Sequence, residues 1–235
     1  MFVSHVLGQW MARTQRQCQL CQLPLDRNEP LWCTHCLARF PRLPYCRRCG
    51  ATTPAPTSAC GRCLSDPPPW QQCYRLGEYR FPLSQLIHQL KFGGKFWLAE
   101  PLGQQLAREI TTPAPTLIPV PLHRQRRLSR SFNQSTLLAQ AIARTLGSTC
   151  DSNALRRVRH TPPQHHLSRR ERQQNLRQAF ILKTRDLPDH VALVDDVITT
   201  GSTLTELTRL LLAQGCRQVD IYCLCYTPAH GRTSR

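Results

Sequence analysis

Four Cys-x-x-Cys pairs, Cys18/Cys21, Cys33/Cys36, Cys46/Cys49 and Cys60/Cys63, lie within the first 63 residues of a 235-residue chain, separated by 11, 9 and 10 residues. A knuckle of this kind aims two thiolates at one point, and two knuckles complete a tetrahedral four-sulfur site for zinc. Eight sulfurs therefore make two structural zinc sites. Sequential pairing, Cys18/Cys21 with Cys33/Cys36 and Cys46/Cys49 with Cys60/Cys63, is the simplest, and the spacing also admits a crossed arrangement. A disulfide framework would need an oxidising compartment. The amino terminus has no basic n-region, apolar h-region or small-residue cleavage site, so a cytoplasmic location is expected instead. Four near-regular copies also exceed what a thioredoxin-like redox site uses. The surrounding segment is rich in proline (Pro24, Pro30, Pro41, Pro44, Pro54, Pro56) and poor in aliphatics. Metal would supply most of its folding free energy, on the order of 10 kcal/mol per site. Cys73, Cys150, Cys216, Cys223 and Cys225 fall outside the pattern and read as small apolar residues for a core.

Charge adds a second constraint. The chain carries 31 Lys+Arg against 14 Asp+Glu, a net +17, and its only lysines are Lys91, Lys95 and Lys183. The planar guanidinium matches phosphate oxygens bidentately, so this bias suits anionic partners. The surplus is local: 123–185 holds 14 basic and 2 acidic residues, whereas 186–235 holds 4 basic and 6 acidic. No apolar run approaches the ~18 residues that span a bilayer, which excludes an integral membrane helix.

Ser65-Asp-Pro-Pro-Pro-Trp70 is a stiff spacer, and it sets the expected division into 1–66 and 71–235. Beyond it, 84–106 shows helical periodicity broken at Gly93-Gly94, and 117–121 reads as a short buried strand. A helix is expected over 133–146, strands over 154–158 and 179–182, a buried strand over 191–194, a helix over 202–213 and a final strand over 218–226. Alternation of this kind makes a mostly parallel α/β sheet flanked by helices.

The most informative stretch is Val191-Ala-Leu-Val-Asp-Asp-Val-Ile-Thr-Thr-Gly-Ser-Thr-Leu204. A buried strand delivers two adjacent carboxylates, Asp195 and Asp196, and then a turn of Thr199, Thr200, Gly201, Ser202 and Thr203 opens a helix. Backbone N–H groups and hydroxyls converge at such a helix start, where the dipole favours an anion. The paired acids suit the two hydroxyls of a ribose, or a bridging Mg2+. A plain Ser/Thr helix cap would need only one of those hydroxyls. The Gly-Lys pair of a Walker A loop is absent from it.

This segment resembles the PRPP-binding signature of type I phosphoribosyltransferases. Together with the cysteine pairs it resembles more closely the ComF/GntX family, which joins an N-terminal zinc module to that fold. Ile87-His-Gln-Leu-Lys-Phe92, Pro119-Val-Pro-Leu-His123, Ser131-Phe-Asn-Gln134, Thr161-Pro-Pro-Gln164, Leu167-Ser-Arg-Arg-Glu-Arg172, Asn175 and Ala179-Phe180 extend the match along the chain. Ser131 stands where the family usually has Gly. The resemblance implies a type I phosphoribosyltransferase-like α/β domain preceded by a small double zinc-ribbon domain. It further implies that Asp195 and Asp196 hold the ribose 2′- and 3′-hydroxyls and that 199–203 holds the 5′-phosphate. Arg124, Arg126, Arg127 and Arg130 fall on the pyrophosphate loop, and Arg169, Arg170 and Arg172 on the flexible catalytic loop.

Two functions follow from that likeness. One is uptake or utilisation of extracellular DNA, with a site for PRPP or a 5′-phosphorylated nucleotide, a basic surface for single-stranded DNA, and motor ATPase or recombination proteins as partners. The other is transfer of a phosphoribosyl group from PRPP, with Mg2+, to a nitrogenous base. In that case the protein would orient the reactants and stabilise the leaving diphosphate with Mg2+ and cationic groups.

Overall fold

The computed structural model describes residues 16–122, 132–158, 179–184 and 186–227. The chain divides into two compact units after Phe40. The expected division at 66–71 follows the composition, and the second set of cysteines packs in the later unit, with the sheet.

In the first unit, Gln17 bridges Pro24 antiparallel, and Cys33 caps helix α1 (Thr34–Ala38), its sulfur accepting the Cys36 N–H. Trp32 and Phe40 meet edge to face at 5.5 Å and supply the small apolar interior.

In the second unit, α2 (Gly61–Ser65) precedes strand β1 (Cys73–Glu78). Helix α3 (Leu83–Phe92) follows, then a 3-10 turn (Phe96–Leu98), helix α4 (Ala99–Ala107) and strand β2 (Thr116–Pro119). Helix α5 (Gln134–Leu146), β3 (Thr149–Cys150), β4 (Leu155–Arg157), β5 (Phe180–Leu182), β6 (His190–Ile198), α6 (Ser202–Ala213) and β7 (Gln218–Tyr226) complete it. The five-stranded sheet runs β1-β7-β6-β2-β3, with every pairing parallel. This is the mostly parallel α/β sheet that the sequence predicts. β4 and β5 form a separate antiparallel ribbon.

The central strands are near-continuous apolar runs because helices cover both faces of a parallel sheet. Val191, Ala192, Leu193 and Val194 on β6 and Val219, Ile221 and Leu224 on β7 are all buried. Helix α4 lies against α5 so closely that a Cβ at Gly103 would sit 2.6 Å from the Ala141 methyl. The break expected at Gly93-Gly94 separates α3 from the 3-10 turn, Gly94 taking φ +65°. Cys73, Cys216, Cys223 and Cys225 are buried as expected, whereas Cys150 is only half-buried.

Strand β1 carries no strand signature, since Arg75 and Glu78 interrupt it and Gly77 weakens it. Its charged side chains are nonetheless buried, and partners from outside the strand reach part of each. The Arg75 guanidinium donates to Thr52 Oγ1 at 2.9 Å and lies over the Tyr45 ring, and Glu78 accepts from Thr52 and pairs with Arg80. Gly77 is required by close approach, since a Cβ there would lie 2.9 Å from the Pro41 carbonyl oxygen. Among the described residues, no helix is long and apolar enough to cross a membrane.

Candidate functional site

The eight knuckle cysteines gather as two tetrads, Cys18, Cys21, Cys33 and Cys36, and Cys46, Cys49, Cys60 and Cys63, each with its sulfurs within 4.8 Å of one another. This is the sequential pairing. All eight are free thiols, with Cys21 and Cys33 Sγ 3.7 Å apart, Cys49 and Cys60 3.8 Å, and Cys46 and Cys63 3.9 Å. These separations are far beyond the ~2.05 Å of a disulfide. Backbone N–H groups turn toward the sulfurs, Cys33 N–H donating to Cys18 Sγ and Cys60 N–H to Cys46 Sγ. Burial opposes the Cys18 thiolate, but N–H groups of Cys21, Cys33 and Leu20 outweigh it and bring the thiol down to about 6. Cys60 comes down to about 7, its burial overcome by the Cys63 N–H and neighbouring thiols. Each tetrad could therefore hold a metal ion.

The second centre lies at the carboxyl ends of β6 and β2, where a parallel sheet exposes loops able to bind ligands. Asp195 and Asp196 end the apolar part of β6. Asp196, almost fully buried, is held on both oxygens: Lys91 Nζ of α3 lies 2.7 Å from Oδ1, and Gln134 Nε2 of α5 donates to Oδ2 at 2.7 Å. Asp195 accepts from Ser135 Oγ at 3.1 Å and from the Asp196 N–H at 2.9 Å. Burial, reinforced by the charge of Asp196, pushes the Asp195 carboxyl up to about 7 against the opposing pull of Lys91. Near neutral pH the pair is thus short of two full charges.

Helix α5 is placed for this role by its start. Asn133 caps it, accepting the Ser135 N–H at 3.1 Å while its own amide donates to the Val120 carbonyl at the end of β2. That double anchor fixes Gln134 and Ser135 opposite the two acids.

The hydroxyl loop runs from β6 into α6. Gly201 caps α6 at φ +72°, a left-handed conformation that favours glycine. No side chain caps the helix, while Thr200 and Ser202 bond each other at 3.0 Å, and Thr199 and Thr200 are exposed. The Ser202 N–H donates to Thr200 Oγ1 at 3.4 Å, so hydroxyls and the first N–H groups of α6 gather at one helix start, a cradle suited to phosphate. Beneath it, a Cβ at Gly201 would lie 3.2 Å from Trp70 Cη2, and Trp70 Nε1 donates to the Arg48 carbonyl at 2.6 Å.

Asp195, Asp196 and the 199–203 loop thus share one end of β6. Arg124, Arg126, Arg127, Arg130, Ser131, Arg169, Arg170 and Arg172 lie outside the described residues. Lys91, Gln134 and Ser135 were not expected as site residues; the signal was present in the Ile87–Phe92 and Ser131–Gln134 segments, which hold or adjoin them.

A family model described as "Phosphoribosyl transferase domain" matches residues 133–235. The chain is 42% identical over 219 residues to "DNA utilization protein YhgH" of Salmonella typhi, covering 89% of this chain and 96% of that protein. It is 40% identical over 220 residues to the Escherichia coli K12 protein of the same name, with the same coverage. "Competence protein F" of Haemophilus influenzae is 37% identical over 201 residues, which cover 81% of this chain and 88% of that protein.

Proposed function

Since the chain belongs to the ComF/GntX family, we propose that it acts in the uptake or utilisation of extracellular DNA, in the cytoplasm, through a site for PRPP or a 5′-phosphorylated nucleotide. The observation that carries the reading is the pair Asp195 and Asp196, held from α3 and α5 beside an uncapped hydroxyl loop. In this reading the acids take the ribose hydroxyls and the loop takes the 5′-phosphate. Mg2+ entering with PRPP would offset the burial and the Asp196 repulsion that together keep Asp195 partly protonated. The relatives' names supply the DNA context, and the local surplus of arginine over 123–185 supplies a surface for single-stranded DNA. Motor ATPase or recombination proteins are the partners such a role calls for.

The tetrads fit zinc. A tetrahedron with Zn–S bonds of ~2.3 Å has edges of ~3.8 Å, and the sulfur pairs at 3.7, 3.8 and 3.9 Å match that edge. Cys18, Cys21, Cys33 and Cys36 would hold one ion and Cys46, Cys49, Cys60 and Cys63 the other, both as closed structural sites.

Calorimetry with PRPP/Mg2+ and with single-stranded DNA tests the reading. PRPP should bind, and Asp195→Asn with Asp196→Asn should abolish that binding while leaving DNA affinity intact. DNA affinity should fall steeply with added salt. Absence of PRPP binding in the wild-type protein would refute the nucleotide site. A second reading, phosphoribosyl transfer to a nitrogenous base, is favoured by both carboxylates being present. Pyrophosphate release from PRPP in the presence of a base would establish it, and silence across the nucleobases would remove it.

A further inference from the structure

Helix α3 and the turn after it carry large aromatic side chains on the outside of the second unit. Phe92, Phe96 and Trp97 are 63%, 55% and 49% exposed. Phe96 meets Trp97 edge to face at 5.6 Å and meets Phe132, at the entry to α5, at 6.2 Å. His88 lies 5.0 Å from Phe92 one turn back along the helix. The Phe96 contacts are edge contacts, so they fix ring orientation without burying the rings in a core.

The cluster has a definite place. Phe92 directly follows Lys91, whose ammonium is 2.7 Å from Asp196. Phe132 lies two residues before Gln134, whose amide is 2.7 Å from the same carboxylate. Phe92 and Phe132 thus each lie within two residues of a group that binds Asp196. Its charge is one-sided: no acidic residue occurs between Glu78 and Glu100, while Lys91, Lys95 and His88 fall in that interval. The two flanking acids are already paired, Glu78 with Arg80 and Glu100 with Arg144.

Among the described residues of 81–132, every exposed large hydrophobic is aromatic. A lipid or protein partner held by shape would call for aliphatic surface as well. Exposed aromatic rings beside Lys95, with no acidic residue from 79 to 99, match single-stranded nucleic acid, whose bases present π-faces and whose backbone is anionic. We propose that Phe92, Phe96, Trp97 and Phe132 form a stacking platform for the bases of single-stranded DNA at the mouth of the Asp195/Asp196 site. Lys95 and His88 meet the phosphodiesters. The proposal rests on the DNA-handling role above and gives that role a surface built on aromatic rings.

The test uses the full-length protein and two probes of about 15 nucleotides, a 5′-phosphorylated oligo(dT) and an abasic oligomer of equal length and charge, read by fluorescence anisotropy. Wild-type protein should bind oligo(dT) more tightly than the abasic strand. Phe96→Ala with Trp97→Ala should weaken oligo(dT) binding by about tenfold or more while leaving abasic binding and PRPP/Mg2+ calorimetry unchanged. Phe96→Leu with Trp97→Leu should behave like the alanine pair, because leucine offers apolar surface and no π-face. Recovery by leucine, equal affinity of the wild type for both probes, or an unchanged alanine variant would each overturn the platform. So would concentration-dependent self-association that the alanine pair abolishes, since the rings would then belong to an interface between copies. Phe92→Ala, tested alone, should weaken oligo(dT) binding even if the double variant folds poorly. Loss of wild-type PRPP binding with oligo(dT) discrimination intact would refute the nucleotide site and leave the platform standing.

Discussion

The two cysteine tetrads share a spacing and differ in what surrounds them. In the first, Cys21 is exposed, and the neighbourhood consists of the Trp32–Phe40 pair and the Glu29 carboxylate accepting from Thr34 and the Asp26 N–H. In the second, the main chain of the first knuckle is tied to the sheet. Cys73 N–H donates to the Arg47 carbonyl at 2.6 Å, the Arg48 guanidinium donates to the Pro68 and Gln71 carbonyls, and the Arg48 carbonyl accepts from Trp70. Gly50, at φ +81°, packs so near Cys73 that a Cβ would lie 2.9 Å from its sulfur. Identical ligand spacing thus yields one knuckle pair beside a small aromatic pair and another built into the α/β unit. The difference lies in residues between and beyond the ligands, which the spacing does not specify.

The largest expected effects separate the tetrads directly. Cys18→Ser with Cys36→Ser should release one equivalent of metal and expose the first unit to protease, with the thermal transition of the second unit unchanged. Cys46→Ser with Cys63→Ser should release the other equivalent and lower that transition, because the knuckle also braces β1 and Trp70. A structural zinc site supplies on the order of 10 kcal/mol, so each loss should be complete rather than graded. Equal effects of the two variants on the second unit's melting would break the comparison. Zinc content of about two equivalents per chain is the corresponding baseline.

A smaller effect sharpens it. The only described side chain close to the Cβ position of Gly201 is Trp70, whose indole N–H is bonded to the knuckle residue Arg48. Trp70→Ala removes the floor of the phosphate loop and should weaken PRPP affinity about 2- to 30-fold, the range of ~0.5–2 kcal/mol typical of indirect coupling. Trp70→Phe keeps most of the ring and loses one hydrogen bond worth ~1 kcal/mol, so it should fall between wild type and alanine. Binding calorimetry on both variants reads this, and an alanine variant that binds normally would disconnect the knuckle from the loop.

What the sequence made legible follows the same line between local and distant. The cysteine tetrads, the diacid and the hydroxyl loop are legible because each is written in contiguous residues: 18–36, 46–63 and 191–204. The parallel sheet is legible because β6 and β7 are buried runs. β1 is not, since its Arg75 and Glu78 become acceptable in a strand only through Thr52 and Tyr45, which lie more than 20 residues away. Lys91, Gln134 and Ser135 escape for that reason too. Gln134 lies 62 positions from Asp196, and nothing in either local pattern pairs an amide with that carboxylate. The aromatic cluster is the same problem from the other side. The sequence pattern of 84–106 gives Phe96 and Trp97 no role, and only the fold shows them outside.

The smallest effect concerns pH, and it tests whether the distant Lys91 or only burial and the adjacent charge set the diacid. Asp195 sits at about 7 because burial and the charge of Asp196 oppose ionisation while Lys91 favours it. Ligand binding that uses the ionised carboxylate should therefore strengthen as pH rises through about 7 and level off above it. The sign for stability is opposite. An acid whose folded pKa is raised above its unfolded value of 3.8 is favoured protonated in the fold. This group's contribution is then fully present below about 3.8 and is lost progressively as pH rises toward 7. Lys91→Met deletes the described cation that favours the carboxylate, so the midpoint of PRPP binding against pH should move upward from the wild-type value. Burial of Asp195 is unchanged by that substitution, which isolates the electrostatic part. A midpoint that stays in place would mean that burial and the Asp196 charge tune the site and that Lys91 merely fills space beside Asp196. An upward move would show that α3, which carries the aromatic cluster, also sets the charge of the diacid.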